Sequence, residues 1–179
     1  MHIRRLEPPD RAALAALLAE DETFQQDELS VALELIDAAV AAPRGDYRVL
    51  VCVAADQLLG YVCYGPTPMT DRTFDLYWIV THPSARGRGV ATRLVGAMEE
   101  TLRATKARLV RIETSQLEAY AAARLFYERL EFVEVGRITD FYRAGDDLII
   151  LSKRLDDEKT SRKGRHRAVS QPDDLEKRA

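Results

Sequence analysis

The stretch THPSARGRGVATRLV, residues 81–95, joins a strongly apolar run to a run with helical spacing. Gly87 and Gly89 lie two residues apart, and Arg86 and Arg88 flank the first of them. The first amides of a helix have no internal partner, and the helix dipole adds partial positive charge there. Glycine lets the backbone curve round an anion without Cβ atoms in the way. The pattern therefore predicts an anion-binding turn between a strand and a helix.

The same turn has two other interpretations. Short glycine turns also serve to pack a strand against a helix. The same residues also fit G-x-G-x-x-T, which is close to the dinucleotide-binding fingerprint G-x-G-x-x-G. That fingerprint requires a βαβ unit and an acidic residue about 20 positions further on. A hairpin pattern precedes this strand instead, and Glu113 comes too late. The dipole adds at most about 2 kcal/mol, whereas micromolar binding needs about 8 kcal/mol, so a ligand must also contact the preceding strand.

The composition is that of an ordinary globular protein, with 179 residues, 46% hydrophobic and 31% charged. The net charge of −3 gives no general attraction for nucleic acid or anionic membranes. No apolar run reaches the roughly 18 residues of a membrane span. Cys52 and Cys63 are expected to be buried free thiols of a cytoplasmic protein. His2, His82 and His166 have no metal-ligand spacing, so no metal is expected.

Hydrophobic periodicity predicts the order β-α-α-β-β-β-α-β-α-β-β. The expected strands cover residues 2–6, 47–54, 58–65, 73–81, 108–114, 132–142 and 146–155. The expected helices cover residues 9–19, 29–41, 90–102 and 120–130. Two hairpins enclose a strand–helix–strand crossover, which indicates an α+β fold with a mixed sheet and helices on its faces.

The chain is expected to form one domain over residues 1–155. Residues 156–179 carry too few aliphatic side chains to offset the entropy of ordering, so we expect a charged, disordered tail. Its RKGRHR run is more typical of a solvated terminus than of a nucleic-acid site.

The motif Arg86-x-x-Gly89-x-Ala91, directly after DLYWIVTHP, resembles the acetyl-CoA signature R/Q-x-x-G-x-G/A of the GCN5-related N-acetyltransferases, the GNAT family. Further along, AAARLFYERLEF resembles the family's second motif, a helix with a tyrosine that ends before a short strand. The element order is similar to that family's. The resemblance covers residues 1–155 and implies the GNAT fold, a central mixed sheet flanked by helices.

The resemblance implies direct transfer of an acetyl group from acetyl-CoA to a primary amine, without a metal. The turn amides would hold the CoA pyrophosphate, and the backbone of the preceding strand would pair with the pantetheine arm where two parallel strands part. The implied binding residues are Ile79, Val80, Thr81, Arg86, Gly87, Arg88, Gly89, Val90 and Ala91.

Two positions depart from the family pattern. Tyr120 stands near the place of a frequent asparagine that helps to hold the pantetheine. Glu131 replaces the usual glycine before the final aromatic residue, where a left-handed backbone often ends the helix. We expect Glu131 to lower local stability rather than to change the chemistry.

Two residues are candidates for catalysis. Tyr127 matches the family's general acid, placed near the CoA sulfur, although an amphipathic core tyrosine fits the pattern as well. Glu113, at the end of a strand beside the expected cleft, is the best candidate for the base that deprotonates the amine, directly or through water. A solvated strand-end glutamate is the alternative.

Further side chains are candidates for contact with the amine. They lie around the last hairpin: Asp140, Tyr142, Asp146 and Asp147. Asp146 and Asp147 also fit simple turn chemistry beside Gly145. Tyr77 and Trp78 alternate along their strand, so one is expected to face the core and the other the cleft.

The acceptor is expected to be a small-molecule or protein amine. Acidic residues in the two segments that would contact it favour a cationic acceptor. No specific nucleic acid or membrane partner is expected, and a homodimer is consistent with the fold. The alternative function is a non-catalytic protein of the same fold that binds or senses acyl-CoA.

Overall fold

A computed structural model describes residues 1–20 and 26–156. Its strands are β1 (His2–Arg5), β2 (Arg48–Ala54), β3 (Gln57–Pro66), β4 (Thr73–Thr81), β5 (Leu109–Ser115), β6 (Val133–Arg143) and β7 (Asp146–Arg154). Its α-helices are α1 (Asp10–Ala19), α2 (Gln26–Ala41), α3 (Val90–Ala104) and α4 (Ala121–Arg129). Short 3₁₀ turns cover Pro83–Ala85 and Glu118–Tyr120. Among these residues, no helix has both the length and the apolar character to cross a membrane.

The predicted α+β fold and element order are confirmed. The structure places the start of α2 at Gln26, before the predicted residue 29, because acidic side chains suit a first helical turn. Asp156, the first residue of the predicted tail, forms an ion pair with Arg154 at 2.8 Å. The rest of that predicted tail lies outside the described residues.

The sheet has seven strands in the order β1-β2-β3-β4-β5-β7-β6. Among the strands in residues 1–20 and 26–156, only β4 and β5 pair in parallel, and their pairing ends where Asp75 meets Arg111. On the other side of β4, Cys63 pairs with Trp78 but Tyr64 pairs with Leu76, so a β-bulge occurs between them. A bulge bends its strand and increases the twist. The rest of β4 therefore leaves β5, and a gap opens between the two parallel strands.

Two hydrophobic cores cover the opposite faces of the sheet. The first contains Leu94 and Met98 of α3, and the second contains Leu14 of α1 and Ile36 of α2. The helical stripe predicted for α3 is fully buried, because residues four apart share one face.

Cys52 and Cys63 are free and buried, as expected. Cys52 lies in the core of the α3 face and Cys63 in the core of the α2 face, so the two thiols are on opposite sides of the sheet. Burial raises the pKa of both thiols, and that of Cys63 reaches about 12. Neither side chain is a nucleophile at neutral pH in the folded chain.

Helix α4 ends in a tight left-handed turn. Glu131 has φ +66° and donates its amide to the Glu128 carbonyl at 2.9 Å. The amide of Phe132 donates to the Tyr127 carbonyl at 3.1 Å, and the two aromatic rings meet at 5.8 Å. These bonds form a Schellman motif, in which glycine is favoured at the position of Glu131.

We predict that Glu131→Gly stabilises the protein by about 0.5–1 kcal/mol, because a left-handed backbone costs an L-residue about 1–2 kcal/mol and glycine's greater unfolded entropy offsets part of the gain. Thermal unfolding should show a midpoint about 2 °C higher. The matched change Glu128→Gly, within α4, should lower stability by about 1 kcal/mol. A lower midpoint for Glu131→Gly would contradict the assignment of strain.

Candidate active site

The glycine turn follows β4 and begins α3. Gly87 and Gly89 adopt φ +73° and +76°, and Gly89 is the N-cap of the helix. A Cβ atom placed on either glycine would meet nothing within 4 Å. The two glycines therefore serve the left-handed backbone and an open concave surface, rather than close packing of strand on helix.

The backbone amides of the turn divide into two groups. Those of Arg86 and Arg88 donate to carbonyls within the turn, each at 3.3 Å. Within the described part of the chain, the remaining amides of residues 87–91 donate to no backbone carbonyl; they belong to Gly87, Gly89, Val90 and Ala91. Residues 86–89 are exposed. The turn thus offers several N–H groups at the positive end of a helix, which is the arrangement that binds phosphate.

A cavity of about 500 Å³ occupies the gap between β4 and β5, under α2 and the β6–β7 hairpin. Its carboxylates are Asp27, Glu28, Asp75, Glu113 and Asp146, and its guanidinium groups are those of Arg111 and Arg143. Its aromatic side chains are Tyr77, Trp78, Tyr120 and Tyr142. Because carboxylates outnumber arginines, the wall is acidic, with aromatic surfaces between the charges.

The end of the β4–β5 ladder is held by a partly buried ion pair, in which 36% of the Arg111 side chain and 10% of the Asp75 side chain are accessible. Arg111 donates from Nε to Asp75 at 2.6 Å, and Asp75 also accepts from the Thr67 hydroxyl at 2.9 Å. The hydrogen bond to Asp75 raises the pKa of Arg111. This pair is not among the sequence predictions, although the charged residues Asp75 in β4, and Arg111 and Glu113 in β5, were a signal for charge pairing between these two apolar runs.

Glu113 lines the cavity and stays partly exposed, with 43% of its side chain accessible. Its carboxylate contacts the Arg111 guanidinium at 3.0 Å. Arg111 therefore bridges Asp75 and Glu113 and fixes the position of the Glu113 side chain at the rim of the gap.

Asp146 is the most buried acid of the cavity, with 3% exposure. It accepts a hydrogen bond from the Ser115 hydroxyl of β5 and contacts Arg143 at 3.3 Å. Tyr142 lies in the same wall, where burial raises the pKa of its phenol. The hairpin thus contributes Tyr142 and Asp146 to the cavity.

Asp140 and Asp147 serve the hairpin itself. Asp140 accepts from the Gly145 amide at 2.6 Å, and Asp147 accepts from the Asp140 amide at 3.1 Å and from Arg137 at 3.2 Å. Neither side chain lines the cavity. Turn chemistry therefore accounts for these two of the hairpin candidates.

Tyr77 and Trp78 both line the cavity, so the expectation that only one would do so is wrong. The bulge interrupts the alternation of β4 at this point, and consecutive side chains no longer point to opposite faces. Tyr120 joins them through its hydroxyl, which donates to Glu28 of α2 at 3.4 Å.

Tyr127 lies in the core of the α3 and α4 face rather than in the cavity wall. It is 6% exposed, between the rings of Phe126 at 5.3 Å and Phe132 at 5.8 Å. Burial strongly raises the pKa of its phenol. The structure therefore does not bring Tyr127 and Glu113 into one cavity.

Comparison with known proteins assigns the chain to a family. Residues 45–134, about half of the chain, match a family model described as an acetyltransferase (GNAT) domain. A solved protein assigned to the GNAT family of acetyltransferases, from Desulfovibrio desulfuricans, is 35% identical with a TM-score of 0.83. The match covers 87% of this chain and 99% of that one. The chain belongs to the GNAT family. It is accordingly an acyltransferase.

Other GNAT proteins share the fold at low identity. An aminoglycoside 6'-N-acetyltransferase complexed with coenzyme A has 18% identity and a TM-score of 0.69, covering 87% of this chain and 98% of that one. A ribosomal-protein-S18-alanine N-acetyltransferase from Escherichia coli has 18% identity and a TM-score of 0.68, and the match covers 86% of this chain and 93% of that one. A comparison with curated protein sequences gives no match. In residues 1–20 and 26–156, no group of His, Cys, Asp or Glu side chains is arranged to hold a metal.

Proposed function

We propose that this GNAT acyltransferase moves an acetyl group from acetyl-CoA directly to a primary amine of a cationic acceptor. One observation carries the proposal: the gap between β4 and β5, which begins beyond Asp75 and Arg111, contains an acidic cavity and leads along β4 to a helix-capping glycine turn. The solved relative with coenzyme A bound has the same fold and supports acyl-CoA as the donor.

The turn and the end of β4 would hold the donor. The free amides at Gly87, Gly89, Val90 and Ala91 suit the pyrophosphate, and the guanidinium groups of Arg86 and Arg88 add positive charge. Beyond Asp75, β4 has β3 on one side and the gap on the other, so the backbone of Ile79–Thr81 is available for an extended pantetheine arm. Acetyl-CoA supplies the activated thioester.

We expect Gly89→Trp to abolish micromolar binding of acetyl-CoA in a calorimetric titration, with a Kd at least about tenfold higher, because the indole fills the open surface of the turn. Gly145→Trp is the matched control, since Gly145 has φ +78° and equal open space but lies in the β6–β7 turn. Equal affinity in wild type and Gly89→Trp, or no binding by either protein, would refute donor binding at this turn.

Tyr127 is proposed as the proton donor to the departing thiolate. A phenol kept protonated by burial retains its proton across the physiological pH range. Transfer to a thiolate is uphill in water, where the phenol pKa is about 10 and the thiol pKa about 8.5, so the step requires a poorly solvated thiolate. Burial raises the pKa of the Tyr127 phenol as well, so the transfer is favourable only where the thiolate is the more poorly solvated of the two anions.

For Tyr127→Phe we predict turnover at least about 100-fold lower with an unchanged Kd for acetyl-CoA, because only the proton is removed. Release of CoA would be followed with the best acceptor from an amine screen that includes spermidine and peptides with free N-termini. Tyr47→Phe, outside the cavity, is the control. Full activity of Tyr127→Phe would indicate that Tyr127 only packs in the core and donates no proton. Donor binding by wild type without transfer to any amine would favour the acyl-CoA sensor.

Glu113 is proposed as the base that takes a proton from the acceptor ammonium, directly or through water. It lines the cavity at the end of the parted β5, and Arg111 fixes its carboxylate there. An alkyl ammonium has a pKa of about 10, so an acceptor amine arrives charged and needs a base.

The cavity favours an acceptor with more than one positive charge. Asp27 and Glu28 lie in the first turn of α2 at the cavity wall, where Glu28 accepts a hydrogen bond from Tyr120. Asp75 and Asp146 contact arginines in the same wall. Trp78 is among the aromatic side chains of this lining, and tryptophan is the side chain that attracts cations most strongly. A polyamine or a basic peptide end fits this lining better than a neutral or acidic amine.

Spermidine should change the fluorescence of Trp78, the single tryptophan, because Trp78 lines the acceptor cavity. The double change Asp27→Asn/Glu28→Gln should weaken spermidine binding about three- to tenfold, as expected for exposed charges. Glu34→Gln, on the same helix but outside the cavity, should bind as wild type. Equal affinity in all three proteins would contradict electrostatic recognition by α2.

A cytoplasmic location and a homodimer stay predictions. The two buried free thiols, Cys52 and Cys63, are consistent with a reducing compartment. The edge strand β6 leaves Val133, Val135 and Ile138 exposed by 60%, 58% and 47%, an apolar edge that a second copy would cover.

A further inference from the structure

A second cavity, of about 230 Å³, lies far from the glycine turn. Its walls include Thr101 and Thr105 at the end of α3, whereas the turn precedes Val90 at the start of that helix. At a rise of 1.5 Å per residue, Thr101 is about 16 Å along the helix from Val90. The cavity is therefore separate from the proposed donor and acceptor sites.

Three arginines converge on this second cavity. Arg5 ends β1, Arg44 follows α2 and Arg48 begins β2, so three different elements bring them together. The lining contains no Asp or Glu side chain. In the part of the chain that the structure describes, none of the three arginines forms an ion pair. Three like charges at one cavity repel each other unless an anion joins them.

Arg48 carries the strongest indication of a missing ligand. Its guanidinium lies 5.4 Å from the centroid of the Phe74 ring, and its Nε is buried without a hydrogen-bond partner in the described residues. A buried charged donor without an acceptor is unfavourable, so such groups are nearly always satisfied. Arg5 and Arg44 are exposed and complete the rim.

The neutral groups of the cavity also suit an anion. Tyr64 pairs with Arg48 across the β2–β3 ladder, and burial raises the pKa of its phenol, so the hydroxyl keeps its proton. The hydroxyls of Thr101 and Thr105 already donate to carbonyls of α3, at 2.8 and 2.9 Å. The Tyr64 hydroxyl is also hydrogen-bonded to Thr101, so the donors left for an anion are the guanidinium N–H groups, which carry an excess of positive charge.

We propose that this second cavity binds a small dianion that carries a phosphate group. Three guanidinium groups offer more donors than the two oxygens of a carboxylate accept, whereas phosphate accepts on every oxygen and carries about two charges. The volume is below that of most ligand pockets, which limits the ligand to inorganic phosphate or a small phosphate ester. This site is independent of the proposed acetyl transfer.

Calorimetric titration of the full chain with inorganic phosphate, at constant ionic strength and above neutral pH, tests the proposal. We expect saturable phosphate binding whose affinity falls at least tenfold in Arg44→Met and in Arg48→Met. Methionine at position 48 keeps an apolar side chain against the Phe74 ring and removes only the charge. Arg129→Met removes an exposed charge from α4 and should bind as wild type. A parallel titration with glycerol 3-phosphate distinguishes a phosphate ester from free phosphate. The compound that binds more tightly identifies the type of ligand that the site prefers.

The glycine turn is the competing phosphate site, and Gly89→Trp separates the two. Phosphate binding that persists in Gly89→Trp and is lost in Arg44→Met supports the second cavity. Binding lost only in Gly89→Trp, equal binding of acetate, or no saturable binding would overturn the proposal. Near-ultraviolet circular dichroism checks that each variant is folded. If Arg48→Met does not fold, Arg44→Met still tests the proposal, because Arg44 is exposed.

Discussion

The parting of β4 from β5 is the constraint on which the site depends. The two strands are parallel neighbours only as far as Asp75 and Arg111, and the bulge at Tyr77 turns β4 away directly afterwards. A regular ladder would have filled this space with backbone hydrogen bonds and left no cavity in the middle of the sheet. The ion pair between Asp75 and Arg111 holds the strands at the point where the separation begins.

The separation of β4 from β5 joins the glycine turn to the acidic cavity. The glycine turn and α3 lie at one end of the gap, and α2 with the β6–β7 hairpin covers the acidic cavity. In the proposed reaction, a donor along β4 and an acceptor under α2 would meet in this gap. Two hydrophobic cores, one on each face, keep the parted strands in place without a ladder between them.

Local patterns in the sequence predicted the elements and several residues that line the cavity, among them Glu113, Tyr142 and Asp146. The stripe of α3, the hairpins and the left-handed conformation at Glu131 follow from residues close together in the chain. The bulge at Tyr77 and the pairing of Asp75 with Arg111 depend on how distant strands align, which no local pattern encodes. For the same reason the burial of Tyr127 among aromatic rings was undecided, since a core tyrosine and an acid have the same helical spacing.

Each face of the sheet has one buried cysteine whose alkylation rate can be measured separately. Cys52 is sealed under α3, and Cys63 is sealed on the face that α1 and α2 cover. Each thiol becomes reactive only when the helices above it lift, so the rate of alkylation at each site measures the opening of that layer alone. Alkylation of Cys63 would report opening of the α1 and α2 layer, and alkylation of Cys52 opening of the α3 layer, without an engineered label.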